Sequence, residues 1–255
     1  MAKVVTDNQY YADIAQAIRT AKGEDTLYRP SEMAEATGDI QTAAQLIAGT
    51  ITGAIVSDVT RVRDFLFYDC PITSASLPNA TEFGKSAFQY SKIEELYAPS
   101  LTNLSGSHAI QGCSKLTRLH LPELLKTNSY AFQSDSKLSD VYLPKLTALN
   151  VADFYGCSSL AVLDLPSVER IAASVFTNAS KLTALILRYD GICTLASAMS
   201  KTPIADGTGY VYVPSVYVEA YQAATNWSTH AAQFRALEAY TVDGTVTGEL
   251  DTTRI

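Results

Sequence analysis

Apolar residues return along this chain at a fixed interval between residues 67 and 187. Phe67, Phe88, Ile110, Phe132, Phe154 and Phe176 open successive units, at steps of 21, 22, 22, 22 and 22 residues. A turn residue closes a short apolar run in each unit: Pro78, Pro99, Pro122, Pro144 and Pro166, with Arg188 in the next place. Apolar and polar positions alternate just before these closures, as in Leu119-His-Leu121 and Leu163-Asp-Leu165. That period of two predicts short strands near 51–56, 74–77, 95–98, 118–121, 140–143, 162–165 and 184–187, with the leucines pointing inward. The proline that follows lacks a backbone donor and ends each strand early. Segments such as Tyr130-Ala-Phe132 are expected to form the opposite wall as a turn or short helix that carries the phenylalanine into the core.

One phrase joins these marks. It reads Cys113-Ser-Lys-Leu-Thr-Arg-Leu-His-Leu-Pro122 and again Cys157-Ser-Ser-Leu-Ala-Val-Leu-Asp-Leu-Pro166. A Leu-x-x-Leu-x-Leu core at such a period is the signature of a leucine-rich solenoid, in which stacked units bury an apolar column that none could bury alone. The expected fold is an α/β repeat, with units of about 22 residues, short parallel strands on one face, and helical caps at both ends.

The flanks define the expected domain organisation. Residues 1–48 read as short helices, with Tyr11, Ile14 and Ile18 at amphipathic spacing. Asp7 is a candidate start and Gly23 a stop for the first helix; Pro30 and Ser31 open a second and Asp39 a third. This segment serves either to cover the edge of the solenoid or to attach it to a larger assembly. The solenoid is expected over 49–214, including a last strand at Tyr210-Val-Tyr-Val-Pro214. A helical cap over 215–240 holds Trp227, the chain's only tryptophan. In the tail over 241–255, Asp243-Gly244 signals a hairpin.

Composition narrows the function. With 47% hydrophobic residues in 255, the chain can bury a large core without a metal or disulfide staple. A formal net charge of -7 argues against a nucleic-acid partner, which needs clustered Lys and Arg. No apolar run has the length of a membrane span. Met1-Ala-Lys-Val-Val-Thr-Asp-Asn8 shows neither the apolar core nor the cleavage site of a secretory leader. Cys70, Cys113 and Cys157 occupy one phase of the repeat, alternating with Ser91, Asp135 and Ala179. Cysteines two units apart lie about 10 Å apart, beyond the reach of a disulfide. They are read as small core residues; Cys193 falls outside the phase.

Catalytic constellations are absent from the sequence. His108, His120 and His230 show no metal-ligand spacing, and no phosphate-cradling loop or nucleophile elbow appears. No cofactor and no metal site are expected, and the chain is read as a non-enzyme. The informative positions alternate with the core leucines: Ser74/Ser76, Glu95/Tyr97, Arg118/His120, Asp140/Tyr142, Val162/Asp164 and Ala184/Ile186. Among these, Glu95, Tyr97, Arg118, His120, Asp140, Tyr142 and Asp164 are the candidate ligand-binding residues. Tyr97, His120, Tyr142 and Asp164 would form one row, with about 4.8 Å per step. Such side chains give contact area and polar tips at modest entropy cost, although an ordinary solvated sheet face would show them too.

The phrase Ala131-Phe132 … Ser136-Lys-Leu138-x-x-Val141-x-Leu143-Pro144 resembles the BspA-like leucine-rich repeats of bacterial surface proteins. The likeness covers roughly residues 50–190. Asp13-Ile-Ala-Gln-Ala-Ile-Arg … Tyr28-Arg-Pro-Ser-Glu-Met-Ala looks like the leader of tail-associated proteins from phages and prophages of Gram-positive gut bacteria. Val211-Tyr-Val-Pro … Tyr221-Gln-Ala-Ala-Thr-Asn-Trp227-Ser looks like the cap that ends such repeat proteins. These resemblances imply recognition of a protein or glycan on a cell surface, with residues 1–48 as a possible contact to other tail proteins. A virion component is the preferred setting, a bacterial cell-surface adhesin the first alternative and a glycan-active enzyme the second.

Overall fold

The computed structural model describes residues 53–239, with 241–242 and 245–246. The helices expected over 1–48 lie outside these residues, as do Ile51 and Thr52 at the start of the first expected strand.

Three walls build each unit. The first is a series of short parallel strands at Gly53–Val56, Ile72–Ser76, Glu95–Tyr97, Arg118–His120, Asp140–Tyr142, Val162–Leu165, Ala184–Leu187 and Tyr210–Val213. Their inner positions are apolar and buried, for example Ala75, Leu96, Leu119, Val141 and Leu163. Each of the repeat prolines from Pro78 to Pro166 follows its strand within two residues. The strands fall into three hydrogen-bonded groups rather than one continuous sheet: 53–97, 118–142 and 162–236.

The second wall was not foreseen. It consists of two-residue parallel strands at Arg61–Val62, Glu82–Phe83 and Asn103–Leu104, and again at Ala148–Leu149, Arg170–Ile171 and Thr194–Leu195. Asn103 bridges on to Lys126 between the two groups. Each pair aims one apolar side chain inward (Val62, Phe83, Leu104, Leu149, Ile171, Leu195) and leaves its neighbour facing out.

The third wall holds the Ala-Phe segments, which are turns and not helices. Its units are tied by their own ladder of backbone bonds. Phe65, Phe67 and Asp69 donate their N–H groups to Lys85, Ala87 and Gln89 of the next unit, and the pattern recurs through Ala152, Phe154 and Gly156. To aim alternate N–H groups the same way, each turn places two residues, four apart, at positive φ: Phe65 and Asp69, Ser86 and Tyr90, His108 and Gly112, Tyr130 and Ser134, Ala152 and Gly156, Ser174 and Asn178. Only two of these twelve are glycine.

The core runs between the walls. Phe67 stacks on Phe88 at 4.8 Å and Phe154 on Phe176 at 6.4 Å, while Phe132 tilts against Phe154 at 5.1 Å between ring centroids. All four cysteines are free and buried. Burial pushes the thiols of Cys113 and Cys157 well above their ordinary range and Cys193 to about 12. Cys113 and Cys157 donate to the carbonyls of Phe88 and Phe132, each at 3.1 Å.

The C-terminal segment departs from the expected helical cap. Ser215–Tyr217 is 3-10, Val218–Ala223 is the only α-helix among the described residues, and Ser228–Gln233 is again 3-10. Phe234–Ala236, inside the segment expected to be helical, instead pairs in parallel with Tyr210–Val213. Backbone bonding to an available strand edge overrides the local helical preference of a short segment. Trp227 is fully buried, donates Nε1–H to the Cys193 carbonyl at 2.7 Å, and packs on Tyr221 and Phe234. Thr241–Val242 and Thr245–Val246 pair antiparallel on either side of Asp243-Gly244.

Candidate functional site

The outward side of the first wall carries all seven candidate residues. Parallel register sets Ser74 beside Glu95 and Ser76 beside Tyr97. It sets Arg118 beside Asp140 and His120 beside Tyr142. Asp164 stands beside Ile186, which in turn stands beside Tyr212. The expected row is therefore present in segments: no ladder bonds join Tyr97 to His120 or Tyr142 to Asp164.

The middle of the face is electrostatically paired. Arg118 Nε donates to Asp140 Oδ2 at 3.1 Å. His120 Nε2 lies 3.1 Å from the same oxygen, but out of line for a hydrogen bond, so its contact with Asp140 is one of proximity. The His120 ring leans on Tyr142 at 5.8 Å and 60°. Tyr97 is 58% exposed, and Glu95 is exposed beside it.

Sequence reasoning missed the continuation of this face. Arg188, in the position where the other units place proline, reaches back to Asp164 with Nε at 2.9 and 3.0 Å and Nη2 at 2.8 Å from the carboxylate. This is a two-pronged pair, the strong geometry for a guanidinium. Ala184 and Ile186 were expected to be outward and open, yet they are buried. They face outward by register, but the Asp164–Arg188 pair and the rings of Tyr210 and Tyr212 flank them. Arg235 sits 4.4 Å over the Tyr210 ring. A missing proline after an otherwise regular strand was the one available signal.

The other two histidines stand elsewhere. His230 is buried and accepts the Met199 N–H at 3.1 Å, and burial lowers its pKa. His108 stacks on Tyr130 in the turn wall at 4.8 Å. Among the described residues, no group of His, Cys, Asp and Glu side chains converges as a metal ion requires.

Residues 56–188 match the model of the BspA type leucine-rich repeat region, in six copies. The chain belongs to the BspA-type leucine-rich repeat family. The six matched copies coincide with the stretch whose three walls are regular. A crystal structure of a leucine-rich repeat protein from Bacteroides ovatus ATCC 8483 aligns with this BspA-type chain at 20% identity and a TM-score of 0.44, covering 65% of this chain and 52% of that one. This chain thus spans about half the length of that protein. No curated protein matches it significantly. Repeat solenoids present extended faces of the kind that meet partners, and the leucine-rich solenoid family is typically non-catalytic.

Proposed function

We propose that this BspA-type solenoid is a non-catalytic module that recognises a protein or glycan on a cell surface. Its ligand face comprises Glu95, Tyr97, Arg118, His120, Asp140, Tyr142 and Asp164. The observation that carries this reading is the outward strand face itself. There an exposed tyrosine, a histidine–tyrosine pair and two carboxylate–guanidinium pairs share one side of the stacked strands. Pairing within the face pre-orients the polar tips, so less rotamer freedom remains to be lost on binding. In the setting of a phage or prophage tail, residues 1–48 are the attachment part and the solenoid is the part that meets the host. The likeness of the two flanks to tail-associated proteins supports that setting.

The test compares wild type with Tyr97→Ala/His120→Ala/Tyr142→Ala in binding to intact Gram-positive gut-bacterial cells, after matching the two proteins for stability. The triple variant is expected to lose binding by about tenfold or more, since buried aromatic anchors dominate recognition energies. Undiminished binding would move the site off this face. Binding by neither protein would remove the cell-surface reading.

A further inference from the structure

A second exposed surface lies on the turn wall. Phe65 is 50% exposed, Tyr68 46% and Tyr90 42%. Tyr68 joins the other two rings edge-on, at 6.1 Å from Phe65 and 5.8 Å from Tyr90. Lys85 holds its ammonium 5.6 Å over the Phe65 ring. Its charge also acts on His108, whose pKa is lowered by burial first and Lys85 second. His108 in turn lies flat on Tyr130, at 11° between ring planes. The rings form two groups, Phe65–Tyr68–Tyr90 and His108–Tyr130, distributed over the first four units, a span of about 14 Å at the strand pitch.

Backbone geometry makes these rings unexpected. Phe65, Tyr90, His108 and Tyr130 all occupy positive-φ positions, at 59°, 63°, 63° and 65°. For Phe65, Tyr90 and Tyr130 this is an outlier, where Gly, Asn, Asp or His would fit more easily. The other equivalent places in the first four units carry Asp69, Ser86, Gly112 and Ser134, and the next two units carry Ala152, Gly156, Ser174 and Asn178, with no ring among them. Gly112 lies beneath the Tyr90 ring, and a Cβ there would come within 2.5 Å of it. The wall keeps strained rings over its first four units and clears the backbone beneath one of them. Folding alone does not call for that.

We propose that Phe65, Tyr68, Tyr90, His108 and Tyr130, with Lys85, form a binding platform for an acidic polysaccharide, separate from the strand face. Exposed rings along a wall suit the C–H faces of pyranose rings better than a peptide side chain, which needs a pocket. Beside the rings, Gln89, Gln111 and Gln133 bond amide to amide in a ladder. The inner amide, Gln111, keeps a second N–H and a second lone pair for sugar hydroxyls. Lys85 has no carboxylate at ion-pair distance among the described residues, so the row offers one cation to a uronate carboxylate. A lipid surface would ask for a cluster of cations.

The test is affinity electrophoresis through gels containing polygalacturonate, alginate or hyaluronate, against neutral dextran, with thermal melting of the same proteins. Wild type is expected to be retarded by an acidic polymer and not by dextran. Phe65→Asn/Tyr90→Asn should weaken that retardation by about tenfold or more while leaving Tm unchanged or raised, because Asn tolerates positive φ. Lys85→Gln should abolish the preference for the acidic polymer. The platform is overturned by the absence of retardation by any acidic polymer, or by retardation that survives the ring variant. A fall in Tm with binding retained would make the rings packing residues only. Equal retardation by dextran, or an unchanged preference in Lys85→Gln, would remove the acidic ligand.

Discussion

Two buried carboxyls show what a single residue can impose on this core. Asp135 takes the cysteine phase between Cys113 and Cys157 and is fully buried. One of its oxygens accepts the Cys113 N–H at 2.7 Å, while the other has no partner. Burial without a counter-charge pushes its pKa well above the usual carboxylate range. Asp153 is also fully buried and accepts from Thr127 Oγ1 and Asn150 N, both at 2.7 Å, and Ala131 N at 3.1 Å. Those three donors favour its ionised form, yet burial prevails and raises it to about 7. Both groups therefore bind protons more tightly folded than unfolded. Their stabilising effect is complete below the unfolded carboxyl pKa of about 4. It is lost as pH rises through the folded values, a window that closes near 7 for Asp153. The urea midpoint of the wild type should accordingly contain a component that falls as pH rises from about 5 to about 8. Asn mimics the neutral acid at position 135, so Asp135→Asn should flatten that slope and equal or exceed wild type at the upper end. A uniform loss of stability at every pH would show that Asp135 is ionised in the fold. At the same scale, Cys113 and Cys157 should label slowly with a thiol reagent in the native protein, since burial holds both thiols protonated. Rapid labelling would contradict their place in the column.

Among the elements, the long strands were legible and the turn wall was not. Alternation with leucine, followed by proline, predicts a strand whatever its neighbours do, and the strands from Glu95 to Leu187 lie where that pattern placed them. The two-residue strands of the second wall carry too few residues for any period, although Val62, Phe83, Leu104, Leu149 and Ile171 recur at nearly the unit spacing. The turn wall hid for another reason. Left-handed conformations are foreseen from Gly and Asn, and here Phe, Tyr, His, Ser and Ala adopt them because ladder bonds to the next unit hold them there. In the candidate face, the seven named residues were readable from alternation alone. Arg188 was not, because its role depends on a partner 24 residues earlier. The wall can be tested at Ala152, buried at φ 56°. Ala152→Gly removes the Cβ penalty of the left-handed region and should stabilise by about 0.5–1 kcal/mol in urea unfolding; a loss would mean that the Cβ contributes more than the strain removes. Phe132 tests the column behind the wall. Phe132→Ala should destabilise by roughly 3–5 kcal/mol, because Phe154 and its neighbours cannot collapse onto the space. A loss below about 1 kcal/mol would be incompatible with a fully buried ring at this position.

At the scale of the whole solenoid, the turn-wall ladder joins every unit from Phe65 to Gly156, the two strand walls add ladders within their groups, and buried apolar side chains pack from unit to unit, so coupling between adjacent units is strong relative to the stability of any one. The question is whether that coupling survives the irregular stretch after Leu187. There the strand-to-strand step lengthens, with Ala184 paired to Tyr210 in place of the 22-residue step from Val162 to Ala184. Four features bridge the change. The strand ladder continues unbroken through Val162–Leu165, Ala184–Leu187, Tyr210–Val213 and Phe234–Ala236. Tyr221 Oη accepts the Cys193 N–H at 2.8 Å, and Asn226 donates to the Leu195 carbonyl at 2.7 Å. Trp227 adds its own bond to Cys193. Since Trp227 is the chain's only tryptophan, its fluorescence reports this end, while far-UV circular dichroism reports strands along the whole solenoid. Unfolding in urea should give coincident transitions by the two probes, the mark of a single cooperative unit. Phe132→Ala, several units away, should shift both midpoints together. A tryptophan transition that stays in place while circular dichroism moves would divide the molecule at the irregular stretch. The C-terminal strands and their aromatic cluster would then be a separate folding unit built onto the end of the repeats.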